Sequence, residues 1–400
     1  MLGGMTAESV QILHVSDTHL GYRQYGLIDR EMDVYRVFDE VVEIALRERV
    51  DAVVHSGDFF DSTRPPPQAI HYAIRSLRRL SQAGIPFIVV PGDHDLPRRR
   101  MLPPLLIIED VVDTVAVIGL RGPEHRLVRT RSGAELLVAG VRNEKGLGAR
   151  QRLLDHLARI PSSSGKPSVL ILHQTLHEIA PDYELELGDL PKGYSYYALG
   201  HIHLYRRFVI GDSVAVYPGS TEALRVDEAL AQPQRYVAMA EVGKSRTISA
   251  DRIALETVRP QIVEEIEFSS MESLRSVLVK LRDRLARYPD DRKPLLHLTV
   301  SNVPRSAKTS VYKMVESIVS RHVLSYRLRI DTVEAKLPPS IQKASSTIRL
   351  EELLKDVLRD EKLAHLAMKL VDVLGSDPQS HAEAEAIRLI EEVFGLKGRR

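Results

Sequence analysis

Short apolar runs alternate with helix-spaced segments through the first quarter of the chain. Residues 10 to 16, Val-Gln-Ile-Leu-His-Val-Ser, read as a buried strand, and apolar positions at helical spacing from Val34 to Glu48 predict a helix. Asp51-Ala-Val-Val-His is a second strand. Pro65-Pro-Pro precedes another helical run, Ala69 to Leu80, as prolines do at a first turn, and Phe87-Ile-Val-Val gives a third strand. The order is βαβαβ.

Short alternating segments around Gly119, Gly122 and Gly133 give residues 113 to 141 a meander signature. Val169-Leu-Ile-Leu, Tyr196-Tyr-Ala-Leu, Arg207-Phe-Val-Ile and Val214-Ala-Val-Tyr extend the strand count, so about the first 255 residues read as one α/β domain rich in sheet. Around Val258 to Pro260 the pattern restarts with a strand (Ile262 to Phe268), a helix (Met271 to Arg287), a strand (Leu295 to Val300), a helix (Thr309 to Val319) and a strand (Leu324 to Asp331). The Pro- and Ser-bearing stretch from Lys336 has the composition of a linker. Beyond it, amphipathic helical patterns run from Arg349 to Leu374 and from Ala382 to Phe394, with Gly375-Ser-Asp-Pro between them. The expected division is 1–258, 259–335, a linker at 336–347 and a helical segment at 348–400.

A length of 400 residues agrees with two or three folded units. Lys and Arg number 55 against 54 Asp and Glu, a formal net charge of +1, so any polyanion must be met by local clusters such as Arg98-Arg99-Arg100. Cysteine is absent, which excludes disulfides, iron–sulfur clusters and thiolate metal sites and leaves His, Asp, Glu and Asn as metal ligands. The opening residues lack a basic and an apolar signal region, Met5 is an alternative start, and no apolar stretch is long enough to span a membrane; a cytoplasmic chain is expected. Trp is absent and aromatics are 5%, so contact with nucleic acid would run through phosphates rather than stacked bases.

Five segments place acidic residues and histidines just after expected strands: Asp17-Thr-His19, Gly57-Asp58, Gly92-Asp93-His94-Asp95, His173-Gln174 and Gly200-His201-Ile-His203. Loops at the carboxyl ends of strands are where open α/β sheets bind ligands, so the five are expected to converge. Three carboxylates with several imidazoles suit Mn²⁺, Fe²⁺ or Zn²⁺, and two such ions can clamp a phosphate between them. Any one pair is a weak signal; the ordered series is a strong one.

In that order the series resembles the calcineurin-like metallophosphoesterase superfamily. Within it, Asp17-Thr-His-Leu-Gly, Gly57-Asp-Phe-Phe-Asp-Ser-Thr-Arg-Pro, Gly188-Asp-Leu-Pro-Lys-Gly-Tyr, Tyr196-Tyr-Ala-Leu-Gly-His-Ile-His and Val216-Tyr-Pro-Gly-Ser are similar to the DNA double-strand-break repair nucleases of the Mre-eleven/SbcD type. The resemblance implies a four-layer α/β/β/α sandwich, a small α/β domain capping the DNA, and C-terminal helices that dock on a Rad-fifty-type ABC ATPase. It further implies two Mn²⁺ per chain, one on Asp17, His19 and His203, the other on Asp93, His173 and His201, with Asp58 bridging. His94 would face the scissile phosphodiester. A homodimer acting on double- and single-stranded DNA ends, close to the nucleoid, follows from the same resemblance.

Two positions depart from the common pattern of that family. Asp93 stands where most members carry Asn, which adds negative charge, tightening metal binding and weakening Lewis acidity. Asp61 stands where many members have a second His, and its carboxylate is expected to accept a hydrogen bond from His94. Asp95 is expected to orient the loop rather than to bind metal. Arg64 and Arg98 to Arg100 are phosphate-contact candidates, with a solvated face as the plain alternative. Leu105-Leu-Ile-Ile reads as core or as a dimer interface, and the terminal helices as partner-binding or as ordinary packing. The rival functions are another dimetal phosphoesterase and a DNA-end scaffold with attenuated catalysis.

Overall fold

Side chains of the first strand, β1 (Val10–Val15), part to two cores, as a pleat requires: Val10 and Ile12 face a second sheet, Leu13 and Val15 a layer of helices. The computed structural model describes residues 9–97, 101–161, 163, 165–333, 354, 357–375 and 386–390. After β1 come α1 (Ile28–Arg47), β2 (Ala52–His55), α2 (Pro67–Gln82), β3 (Phe87–Val89), α3 (Pro104–Val111), β4 (Val115–Val117), β5 (Glu124–Arg129), β6 (Glu135–Val141) and α4 (Ala149–Leu157). They are followed by β7 (Ser168–His173), β8 (Tyr196–Gly200), β9 (Arg206–Ile210), β10 (Ser213–Tyr217), α5 (Val226–Ala231), β11 (Tyr236–Gly243) and β12 (Arg246–Ala254).

These strands form two six-stranded sheets, ordered β12-β11-β1-β2-β3-β4 and β5-β6-β7-β8-β10-β9. Strands β1 to β4 run parallel, as do β6, β7, β8 and β10, and antiparallel strands close every edge except that of β4. Ile12, Val54 and Ile88 of one sheet meet Val138, Ile171 and Ala198 of the other in a dry core. The outer face of the first sheet carries α1, α2 and α3, and that of the second carries α4 through Leu153 and Leu157. The result is the expected α/β/β/α sandwich.

A third, three-stranded sheet, β13 (Gln261–Glu267), β14 (Leu295–Pro304) and β15 (Ser325–Val333), is accompanied by α6 (Met271–Leu285) and α7 (Lys308–Val319). Leu274, Leu278, Leu296, Leu298, Val311 and Val315 are buried there. Compactness divides the chain into one unit of residues 1–303 and 308–331 and a second of 304–307 and 332–400. Within the first, the buried Arg259 donates to both oxygens of Asp33 on α1, at 2.5 and 2.8 Å. In the second lies α8 (Glu361–Gly375). Among the described residues no helix is long and apolar enough to cross a membrane.

Several elements differ from the sequence reading. Helix α1 begins at Ile28 rather than Val34, because Arg30, Glu31 and Asp33 are charged yet buried, paired with one another's neighbours, so its first turns look polar without being exposed. The stretch 113–141 is no meander: β4 pairs with β3, and the chain then crosses to the other sheet for β5 and β6. Residues 236–254, which the pattern leaves unassigned, form a hairpin on β1. Helical structure from Arg349 to Leu374 is not continuous: Arg359 has a φ of 51°, and the Asp360 carboxylate accepts from the N–H groups of Lys362 and Leu363, opening α8 anew. Leu105 is buried in the core, which leaves Leu102, Ile107 and Val111 as the exposed apolar side chains near α3.

Candidate metal centre

Parallel strands in both sheets bring their carboxyl ends to one edge, and the motif loops leave from there. Asp17 and His19 follow β1, Asp58 follows β2, Asp93 and His94 follow β3, His173 ends β7, and His201 and His203 follow β8. Asp17, His19, Asp58 and His201 all adopt positive φ, 51°, 45°, 54° and 87°, conformations that cost a non-glycine residue energy and recur at functional sites. Gly92 is required by close approach, since a Cβ there would overlap the Asp58 carboxylate.

Two clusters hold the seven expected ligands, and a third group, His19 with Asp61 and His94, adjoins them. Ligand atoms of Asp58, Asp93, His173 and His201 lie within 4.8 Å of one another, as do those of Asp17, His19 and His203. Asp58 Oδ2 stands between them, 3.3 Å from His173 Nε2 and 3.6 Å from His19 Nε2. His203 Nε2 is 3.6 Å from Asp17 Oδ1 and 3.3 Å from His19 Nε2. Asp93 Oδ1 is 3.4 Å from His173 Nε2 and 3.3 Å from His201 Nδ1.

Buried polar atoms without partners are costly, and Asp93 Oδ1 and His173 Nε2 are two of them. Burial opposes ionisation of Asp58 and Asp93, yet the adjoining imidazoles, His173 foremost, outweigh it and hold both carboxyls below their usual range. His173 is driven the other way: burial lowers it, and Asp58 more than reverses that. Imidazole and carboxylate donors converge with their lone pairs inward, an arrangement that fits divalent cations in place of the shared protons.

A model of the calcineurin-like phosphoesterase family matches residues 10–205. The DNA double-strand break repair protein Mre11 of Saccharolobus solfataricus is 33% identical over 383 residues, covering 92% of this chain and 96% of that one. The chain belongs to the Mre11 family. The Mre11 proteins of Sulfurisphaera tokodaii and Thermoplasma acidophilum are each 32% identical, over 95% and 90% of this chain and 97% and 93% of their own lengths. As a member of the Mre11 family, the chain is a metal-dependent phosphodiesterase of the nuclease type.

Around the Mre11-type cluster, the neighbours of the seven side chains include several that the motifs do not contain. Glu228 Oε1 accepts from His203 Nδ1 at 2.8 Å, which fixes the tautomer with Nε2 turned toward Asp17. Lys145 Nζ is 2.8 Å from Asp93 Oδ2, and Asn143 Nδ2 donates to the His173 carbonyl at 2.7 Å. None of the three has a sequence signal. Each lies in a loop or short helix, and the contact of Lys145 with Asp93 exists only once both sheets have formed.

Asp61 requires a correction. The group that meets His94 Nδ1 is the Asp61 backbone carbonyl, at 2.5 Å, not its carboxylate. The loop turns the carboxylate to the other side, where Oδ1 is 3.4 Å from His19 Nδ1. Asp95 is fully buried and accepts from the N–H groups of Phe59, Phe60 and Gly92, so it ties two site loops together; burial, helped by the charge of Asp58, pushes its carboxyl up to about 6. Arg64 is exposed, and Arg98, Arg99 and Arg100 lie outside the described residues.

Proposed function

We propose that this protein is a manganese-dependent exo- and endonuclease that processes DNA double-strand-break ends. Asp17, His19 and His203 would hold one ion, Asp93, His173 and His201 the other, with Asp58 shared. The supporting observation is the position of Asp58 Oδ2, within 3.6 Å of an imidazole from each cluster. Bound there, the two ions would supply Lewis acidity to a phosphodiester and an acidic water as nucleophile. Donor chemistry admits Fe²⁺ and Zn²⁺ as well; manganese comes from the family resemblance.

His94 would serve the leaving group. Its ring is about half exposed beside His19, at a centroid distance of 4.8 Å, while its backbone N–H donates to Asp58 Oδ1 at 2.9 Å. With Nδ1 engaged by the Asp61 carbonyl, Nε2, 4.0 Å from Asp93 Oδ2, would be the nitrogen left to carry a proton to a departing 3′ oxygen. Burial lowers the His94 imidazole, but the charge of Asp58, the Asp61 carbonyl and Asp93 outweigh it and keep it above its ordinary value.

Residues 1–258 would form the nuclease domain and 259–335 a DNA cap, a reading that the presence of a third sheet supports. Residues 348–400, after a linker at 336–347, would bind a Rad-fifty-type ABC ATPase, and Arg64 with Arg98 to Arg100 would contact phosphates. A homodimer would use Leu102, Ile107 and Val111. Names of the relatives, which cite DNA double-strand break repair, support DNA ends as substrate and hence a place at the nucleoid. Cleavage of linear and single-stranded DNA with Mn²⁺ tests the reading: wild type cuts, Asp58→Ala and His94→Ser lose at least about a hundredfold, and chelation abolishes activity. An inactive wild type favours the scaffold instead.

A further inference from the structure

Lys145 is the charged group beside the centre that the proposed chemistry does not use. It lies on the loop after β6, outside all five motif segments. Its ammonium is 2.8 Å from Asp93 Oδ2, while Oδ1 of the same carboxylate faces His173 and His201 at 3.4 and 3.3 Å. One oxygen is thus committed to the lysine and one to the imidazoles. The loop is framed to keep the lysine there: Arg152 donates to the carbonyls of Lys145 and Leu147 at 3.0 and 2.9 Å and is itself anchored on Glu144.

The other half of the centre has the opposite surroundings. Glu228 Oε1 is 2.8 Å from His203 Nδ1, and Asp61 Oδ1 is 3.4 Å from His19 Nδ1. His173 Nδ1 is backed only by the neutral Ser56 carbonyl, at 2.7 Å. A carboxylate hydrogen-bonded behind an imidazole, as Glu228 is behind His203, strengthens it as a donor; an ammonium on a carboxylate weakens it and repels a nearby cation.

We propose that Lys145 is a positioning residue that holds Asp93 to one inward oxygen and lowers its donor strength, so that the Asp93, His173 and His201 half binds its cation more weakly than the Asp17, His19 and His203 half, and second. Occupancy of the weaker half then sets the metal concentration at which cleavage begins. Without the lysine, Asp93 gains its second oxygen for the cation and the repulsion disappears. The opposing effect, new freedom in the short Asp93 side chain, is smaller. The proposal rests on the dimetal reading above.

Calorimetric titration of the metal-free full chain with Mn²⁺, with electron paramagnetic resonance counting free Mn²⁺, is the test. Wild type takes up two ions in steps of unequal affinity. Lys145→Met tightens the weaker step by roughly tenfold and leaves the stronger unchanged. Lys145→Arg, which keeps the charge, behaves as wild type, and in an Asp93→Asn background Lys145→Met tightens the step less, because only the direct repulsion is left to remove. Two-step uptake that Lys145→Met leaves unaltered or weakens, or that it tightens equally with Asn at 93, overturns the proposal alone. Absence of uptake by wild type overturns the dimetal reading, and this proposal with it.

Discussion

Glu228 stands behind His203 and decides which ring nitrogen that histidine turns inward. Glu228→Gln should therefore weaken Mn²⁺ binding by about ten- to a hundredfold in calorimetry, while Asp61→Asn should retain cleavage because His94 uses the backbone carbonyl of that residue. His14, fully buried between the sheets, has Nδ1 on Tyr196 Oη at 3.0 Å and Nε2 on Ser56 Oγ at 2.8 Å, and burial lowers its imidazole to about 3. The unfolded chain thus binds a proton from about pH 6.5 downward that the folded protein refuses until about pH 3, so stability falls on acidification through that window. His14→Gln should flatten the fall, by up to about 4 kcal/mol at its acid end, in urea midpoints measured against pH. The seven clustered residues were legible because each sits within a few positions of a strand end. Lys145 was not: its partner Asp93 is 52 residues away.

Among the elements, legibility followed pattern strength. Strands β2, β3 and β7 carry short unbroken apolar runs, and they and β1 lie within a residue or two of their expected positions, whereas the start of α1 is hidden by charges that pair internally. The break before α8 was hidden as well, because apolar spacing continues through Arg359 and only the Asp360 cap marks the new start. Asp360→Ala should cost α8 about 1 kcal/mol, seen as faster amide hydrogen exchange at Lys362 and Leu363, with rates in β1 unchanged. Equal rates in both proteins would mean that the carboxylate caps nothing.

On the scale of the whole first unit, a buried ion network joins the third sheet to the sandwich. Asp33 accepts from Arg259 and from Arg30, whose other nitrogen lies 3.3 Å from Glu222 Oε1. Removing the shared anion leaves the buried Arg259 without a charged partner and Arg30 with Glu222 alone, so Asp33→Ala should cost about 3–5 kcal/mol in chemical denaturation, more than Arg259→Ala, which leaves Asp33 paired with Arg30. The dimetal centre itself is tested most directly by anomalous diffraction at the manganese edge from crystals grown with Mn²⁺. Two peaks flanking Asp58, one among Asp17, His19 and His203 and one among Asp93, His173 and His201, are the expected result; peaks elsewhere, or none, would contradict it.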